Sequence, residues 1–96
     1  MPIKVYRNKP SAPVEEVAWL CDDSWSLPTQ VSILSAWLDS SAKELKPGAL
    51  VADIGFGWRA DAGGGGSALE PKALARMAEL DMTLLLSEYP VEAKAA

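Results

Sequence analysis

Apolar and polar positions alternate at the start of the chain, where Ile3 and Val5 are separated by Lys4, and this period of two predicts a short strand over residues 3–6. The polar, proline-containing stretch 8–13 interrupts it. Residues 14–21, VEEVAWLC, fit two periods. Val14, Val17, Ala18 and Cys21 make a helical face, while the brevity and the Val/Trp content fit an edge strand, which is the preferred reading. DDSWSL at 22–27 is then a connection. Val31, Leu34, Leu38 and Leu45 recur at spacings of three, four and seven, with Trp37 beside them, and predict a helix over 28–45. Pro28 suits its first turn, Lys43 and Lys46 suit its end, Asp39 and Lys43 are spaced as an i,i+4 ion pair, and Pro47-Gly48 stops it.

Strict alternation returns at 49–58, ALVADIGFGW, the clearest strand. Leu50, Ala52, Ile54 and Phe56 share one face, Val51 and Asp53 the other, and Gly55 and Gly57 leave bare backbone near its end. Four consecutive glycines make 59–68 a loop, because their backbone entropy opposes any regular element. LEPKALARMAEL predicts a second helix over 70–80 with Leu74, Met77, Ala78 and Leu80 facing the core. Ser67 and Glu70 have the spacing of a capping box; the competing assignment puts Glu70 itself at the cap. MTLLLSEY at 82–89 reads as a strand, followed by Pro90 and an alanine-rich, flexible tail at 91–96. Strand 49–58, helix 70–80 and strand 82–89 make a β-α-β unit, parallel and right-handed if both strands share a sheet. With both helices on one sheet face, the chain is expected to be a single α+β domain over 1–96. The expected form is a small two-layer sandwich of ferredoxin-like kind, with an irregular 1–24 segment as an alternative.

Composition narrows the chemistry. The chain has 96 residues, enough for one core and no second domain. It has no histidine and a single cysteine, Cys21. That removes histidine-based catalysis, histidine-ligated metals, multi-cysteine metal sites and internal disulfides. Thirteen acidic against nine basic residues give a net charge of -4, distributed unevenly: Lys4, Arg7 and Lys9 open the chain, and two acidic runs follow, one through Asp22 and Asp23, one from Glu79 to Glu92. Such a chain repels phosphate backbones, so nucleic acid is not an expected partner, whereas a basic protein surface is. Acidity that merely keeps a small protein soluble is the plainer alternative. The opening MPIKVYRNK has no apolar signal core and no stretch is long enough to span a bilayer, so the expectation is a cytoplasmic protein with no membrane partner.

Each reactive group has a bland reading beside its sharp one. Cys21 precedes Asp22 and Asp23, whose charge opposes thiolate formation, and packs best as a small hydrophobe. Asp22, Asp23, Asp53 and Asp61 would make an acid/base or hard-cation site only if they converge; otherwise Asp53 is a solvated residue on the open face. The glycines lack the Lys-Ser/Thr of a phosphate-binding loop, Arg59 is a single anion contact, and a flexible loop is preferred, so no cofactor is expected. Of the four tryptophans, Trp19, Trp25, Trp37 and Trp58, Trp37 belongs to the helix stripe. Trp25 in its acidic connector and Trp58 at a strand end are placed as recognition anchors.

Trp25-Ser26-Leu27 ahead of a long amphipathic helix, the strand ADIGFGW, Gly65-Gly66, and ALEPKALARMAELDMTLLLSEY at 68–89 together resemble a family of small uncharacterised bacterial proteins, some of them suspected of immunity-like or inhibitory roles. The resemblance covers about residues 25–89. It departs where Glu70 stands in place of the family's capping Ser, and in an N-terminal region shorter than the family's. It implies no catalytic set. The function expected is a non-enzymatic protein-binding module, an inhibitor or immunity-like protein. It would engage a basic partner through Asp22, Asp23, Trp25, Asp53, Trp58, Arg59 and Asp61. The alternatives are a structural homodimer joined by the open sheet face and a carboxylate-dependent enzyme or divalent-metal protein.

Overall fold

The computed structural model describes residues 3–20, 24–57 and 66–90. The elements follow as β1 (Ile3–Arg7), β2 (Glu15–Leu20), α1 (Leu27–Asp39), a 3-10 turn (Ser41–Glu44), β3 (Leu50–Gly57), α2 (Pro71–Glu79) and β4 (Met82–Tyr89). The strands form one mixed sheet in the order β2-β1-β3-β4. β1 is antiparallel to both neighbours and β3 is parallel to β4, so β2, β3 and β4 all run the same way. Two crossovers connect these three: β2-α1-β3 steps over β1, and β3-α2-β4 joins adjacent strands. Both steps move in one direction across the sheet, so crossovers of the usual right hand place both helices on one face. There they lie side by side, with an ion pair of 2.7 Å between Lys72 Nζ and Asp39 Oδ1, while Arg76 Nη2 donates to the Ala42 carbonyl of the 3-10 turn at 2.9 Å. The molecule is an α+β two-layer domain with ferredoxin-like layering, a ββαβαβ element order and the expected C-terminal β-α-β unit.

The core fills the space between the layers. Ile3 and Val5 of β1, Leu50, Ala52 and Ile54 of β3, Leu34 and Leu38 of α1, and Met77 and Leu80 at α2 are buried in one cluster, with Trp37, Phe56, Met82 and Leu84 packed at its margin. The alternation in β1 and β3 therefore reads as expected, with Lys4, Tyr6, Val51 and Asp53 on the uncovered face.

Four local expectations are corrected. α1 ends at Asp39, not at residue 45. Ser40 Oγ donates to the Ala36 carbonyl at 2.8 Å, and the chain tightens into the 3-10 turn. Lys43 and Lys46 consequently fall outside the last turn of α1, and Asp39 pairs with Lys72 across the helix layer instead of with Lys43. In α2 the buried stripe is Ala73, Met77 and Leu80, while Leu74 and Ala78 are exposed. The buried face is turned by about one residue from the apolar face expected, with Lys72 directed at Asp39 of α1 and Arg76 at the Ala42 carbonyl of the 3-10 turn. The N-cap position of α2 is held by Glu70 with no side-chain capping bond, so Ser67 does not complete a capping box.

The end of the sheet away from the helix N-termini is closed by polar contacts. Arg7 Nη1 donates to the Gly48 carbonyl at 2.6 Å and Nη2 to that of Lys46 at 3.1 Å, while Nε faces Glu15 Oε1 at 3.5 Å. Asp81, in the left-handed region at φ 57°, accepts the Ala49 N–H on Oδ2 at 3.1 Å, and its carbonyl accepts from Leu50 N–H. Gly48, at φ 126°, supplies the conformation an L side chain avoids, which lets its carbonyl meet Arg7.

The Asp39–Lys72 pair has a measurable signature. The hydrogen bond and charge of Lys72 hold the Asp39 carboxyl below its ordinary value of 3.8. A depressed carboxyl stabilises the fold above that ordinary value and ceases to do so as pH falls through the lowered one. Both side chains are largely exposed, so the contribution is small. In Lys72→Ala the Asp39 titration, followed by carboxyl-detected NMR, is expected to move back up towards 3.8 with little change in melting temperature.

Candidate functional site

With both helices on one side, the other face of the sheet is left open, and strand register states what it carries. Trp19 of β2 stands beside Lys4 of β1, Asp53 of β3 and Leu85 of β4 in one row across the sheet. Glu16, Tyr6, Val51 and Thr83 make the next row. Towards the C-terminal end of β3 the side chains stop at Gly55 and Gly57, opposite Ser87 and Tyr89 of β4. The connector to α1 closes over this end: Gly57 N–H donates to the Trp25 carbonyl at 2.9 Å, and the Trp25 ring meets Tyr89 edge-on at a centroid distance of 5.5 Å.

The polar groups on this face are matched locally. Lys4 Nζ is 3.5 Å from Glu16 Oε2 and lies over the Trp19 and Tyr6 rings at 5.3 and 5.7 Å. It spends its charge on an aromatic and carboxylate nest. Ser87 Oγ donates to Asp53 Oδ1 at 2.7 Å, so the aspartate that breaks the apolar run of β3 is a hydrogen-bonded, half-buried acceptor and not a freely solvated group. Beneath the connector, on the helix side, Gln30 is fully buried. Its Nε2 donates to the Gly55 carbonyl at 2.8 Å and to that of Ser24, and its Oε1 has no donor among the described residues. Gln30 thus ties the start of α1 and the Trp25 connector to the end of β3.

Of the expected site residues, Trp25 and Asp53 fall within the described part and share one region. Trp25 packs on Tyr89, and Tyr89 and the Ser87 that binds Asp53 project from the same face of β4. Asp22, Asp23, Trp58, Arg59 and Asp61 lie outside the described residues, as does Cys21. Among the described residues no group of three Asp, Glu, Cys or His side chains is placed to hold a metal ion. Lys4, Tyr6, Trp19, Leu85 and Tyr89 complete the surface without having been singled out from sequence as site residues. For Lys4 and Tyr6 the signal was their alternation with Ile3 and Val5.

A groove of about 780 Å³ also runs between α1 and α2. Its lining includes the buried Leu38 and Ala73, and it balances Lys43, Lys72 and Arg76 against Asp39, Glu70 and Glu79. Its charges pair with one another, Asp39 with Lys72 and Glu79 with Arg76, whereas the open face exposes Trp19, Leu85 and Tyr89. Among the described residues no helix is long and apolar enough to cross a membrane. No family model, curated protein or solved structure matches the chain.

Proposed function

We propose that the protein is a non-enzymatic binding module, with an inhibitory or immunity-like role, that docks on a basic protein through the open face of its sheet. The observation that carries this reading is the exposure of Trp19, Trp25, Leu85 and Tyr89 on that face. Large aromatic side chains at the centre of an interface are the usual carriers of binding energy. Charge selects the partner. Lys4 is the open face's described cation and is already engaged by Glu16, Asp53 adds a further carboxylate, and Asp22-Asp23 precede the Trp25 connector in a chain of net charge -4. A protein groove that attracts phosphate or acidic substrate would be blocked by such a surface. The lack of histidine and the acidic neighbours of Cys21 support a binding role over a catalytic one.

The test is affinity purification of the tagged full chain from its native host. The partner is expected to be recovered by the unmodified chain and by Lys72→Ala, whose change lies in the helix layer. Trp19→Ser combined with Trp25→Ser should weaken capture by about 30-fold or more, the scale of one lost aromatic hot spot. Asp22→Lys with Asp23→Lys should weaken it most at low salt. Equal recovery by all these variants across salt concentrations would refute the reading.

A further inference from the structure

The two edges of the sheet are built differently. β2 carries Glu15 and Glu16 and is bulged at Val17, where its pairing with β1 shifts register between Val5 and Tyr6. Charge and bulges are the usual guards against edge-to-edge pairing. β4 has neither. It pairs along all eight residues with β3 on one side and with no described strand on the other, and its sequence holds no Lys, no Pro and, before Glu88, no charge.

Its side chains are apolar on both faces. Leu85 projects from the open face and is 42% exposed; Leu86 projects from the helix face and is 53% exposed, although its partner Ile54 in β3 is fully buried. Leu74 of α2, 49% exposed, adds to the same flank. Lys72 and Arg76 mark the side of α2 that meets α1 and the 3-10 turn, and at 100° per residue Leu74 lies on the opposite side, away from α1. Leu74 and Leu86 are therefore exposed apolar side chains on the flank of a strand edge that no described strand pairs.

The order of residues along β4 identifies what fits there. Thr83-Leu84-Leu85-Leu86-Ser87 reads by residue type the same in both directions about Leu85. A second copy laid antiparallel on a two-fold axis at Leu85 sets Leu84 against Leu86 and Thr83 against Ser87, like with like on each face. Glu88 then falls opposite Met82, and the two Glu88 carboxylates stand about 20 Å apart along the seam. Moving the axis to Leu86 sets Leu84 against Glu88, and moving it to Leu84 sets Leu86 against Met82 and leaves Ser87 opposite Asp81. In any of these registers the flank of α2 that carries Leu74 faces the second copy across the seam.

We infer that the chain self-associates through β4, two copies joining as one continuous eight-stranded sheet with Leu74, Leu84 and Leu86 of each sealing the seam. The contact touches the open face at Leu85 and leaves Trp19 and Trp25 of both copies free, so it does not depend on the partner reading above. The experiment uses the full chain. Sedimentation over a broad concentration range is expected to show a monomer–dimer equilibrium that Leu86→Lys shifts to monomer, with unchanged circular dichroism. In a Cys21→Ser background, Leu85→Cys places two thiols at directly opposed positions, about 5 Å apart at Cα and within disulfide reach. Mild oxidation should link that variant as a dimer and leave Val51→Cys, in the sheet interior, unlinked. A chain that sediments as a monomer up to millimolar concentration, a dimer indifferent to Leu86→Lys, or a dimer in which Leu85→Cys links no better than Val51→Cys overturns the inference.

Discussion

Replacing Gln30 by Leu is expected to lower stability by about 1–3 kcal/mol while leaving the core volume nearly unchanged. The side chain is fully buried, and its amide nitrogen donates to two carbonyls, those of Ser24 and Gly55. Leucine fills the space and supplies no donor, so the buried Gly55 carbonyl and the part-buried Ser24 carbonyl both lose this partner. Removing Oε1, which has no donor among the described residues, returns part of that cost. Gln30→Glu should be worse at neutral pH, since a carboxylate cannot donate and would face the same two carbonyls. Burial raises the pKa of the introduced carboxyl, so its penalty is largest above the raised value and shrinks as pH falls and the acid protonates. Urea denaturation at two pH values separates the cases: Leu should be insensitive to pH, Glu should recover on acidification. In a domain this size each kcal/mol moves the melting temperature by about 4–8 °C. The same variants should loosen the Trp25 connector and quench or red-shift its fluorescence before global unfolding.

At the other end of the sheet, Arg7→Ala should cost about 2–4 kcal/mol, because two charge-assisted bonds to the Gly48 and Lys46 carbonyls are lost together. Arg7→Lys should recover less than half, since a single ammonium lacks the fork that spans both carbonyls. The ion pair with Glu15 is the minor part. Glu15 is mostly exposed, so Glu15→Gln should change stability by less than about 1 kcal/mol. Urea midpoints for the three variants check the order Ala, then Lys, then Gln.

These two residues also mark where sequence reading stopped. The alternation of Ile3, Val5, Leu50, Ala52 and Ile54 displayed the core face of the central strands without ambiguity, and the β-α-β unit followed from it. Arg7 reads as one of three basic residues in a solvated opening segment, and only the return of the chain at Gly48, some forty positions on, makes it a clamp. Gln30 sits in a helix whose stripe of Val31, Leu34 and Leu38 is complete without it; its burial comes from the connector and β3 closing over that turn. α2 shows the same limit in apolar terms. Leu74, Met77, Ala78 and Leu80 make an acceptable stripe, and so do Ala73, Met77 and Leu80. Which of the two meets the core depends on how α2 sits on the sheet: Ala73, Met77 and Leu80 are buried, Leu74 is exposed, and Arg76 turns to the Ala42 carbonyl of the 3-10 turn. In β4 three consecutive leucines erase alternation, so register with β3 is needed to divide Leu85 from Leu84 and Leu86.

The candidate surface was legible in part for the same reason. Trp25 and Asp53 were picked out as polar or aromatic interruptions, and they prove to be neighbours through Tyr89 and Ser87. Lys4, Tyr6 and Trp19 were not, because their importance lies in lateral strand order, which places β2 beside β1 and so brings Trp19 over Lys4. A sheet with both helices on one side presents whatever the alternate positions carry, and here those positions carry tryptophan and tyrosine.

The most direct measurement of the central claim is site-specific photocrosslinking in native cells. A benzophenone amino acid at Trp19 probes the open face, and the same group at Ser32, exposed on α1, probes the helix layer. The account predicts a discrete protein adduct from position 19 that is absent from position 32. An adduct from position 32 with none from position 19 would contradict it.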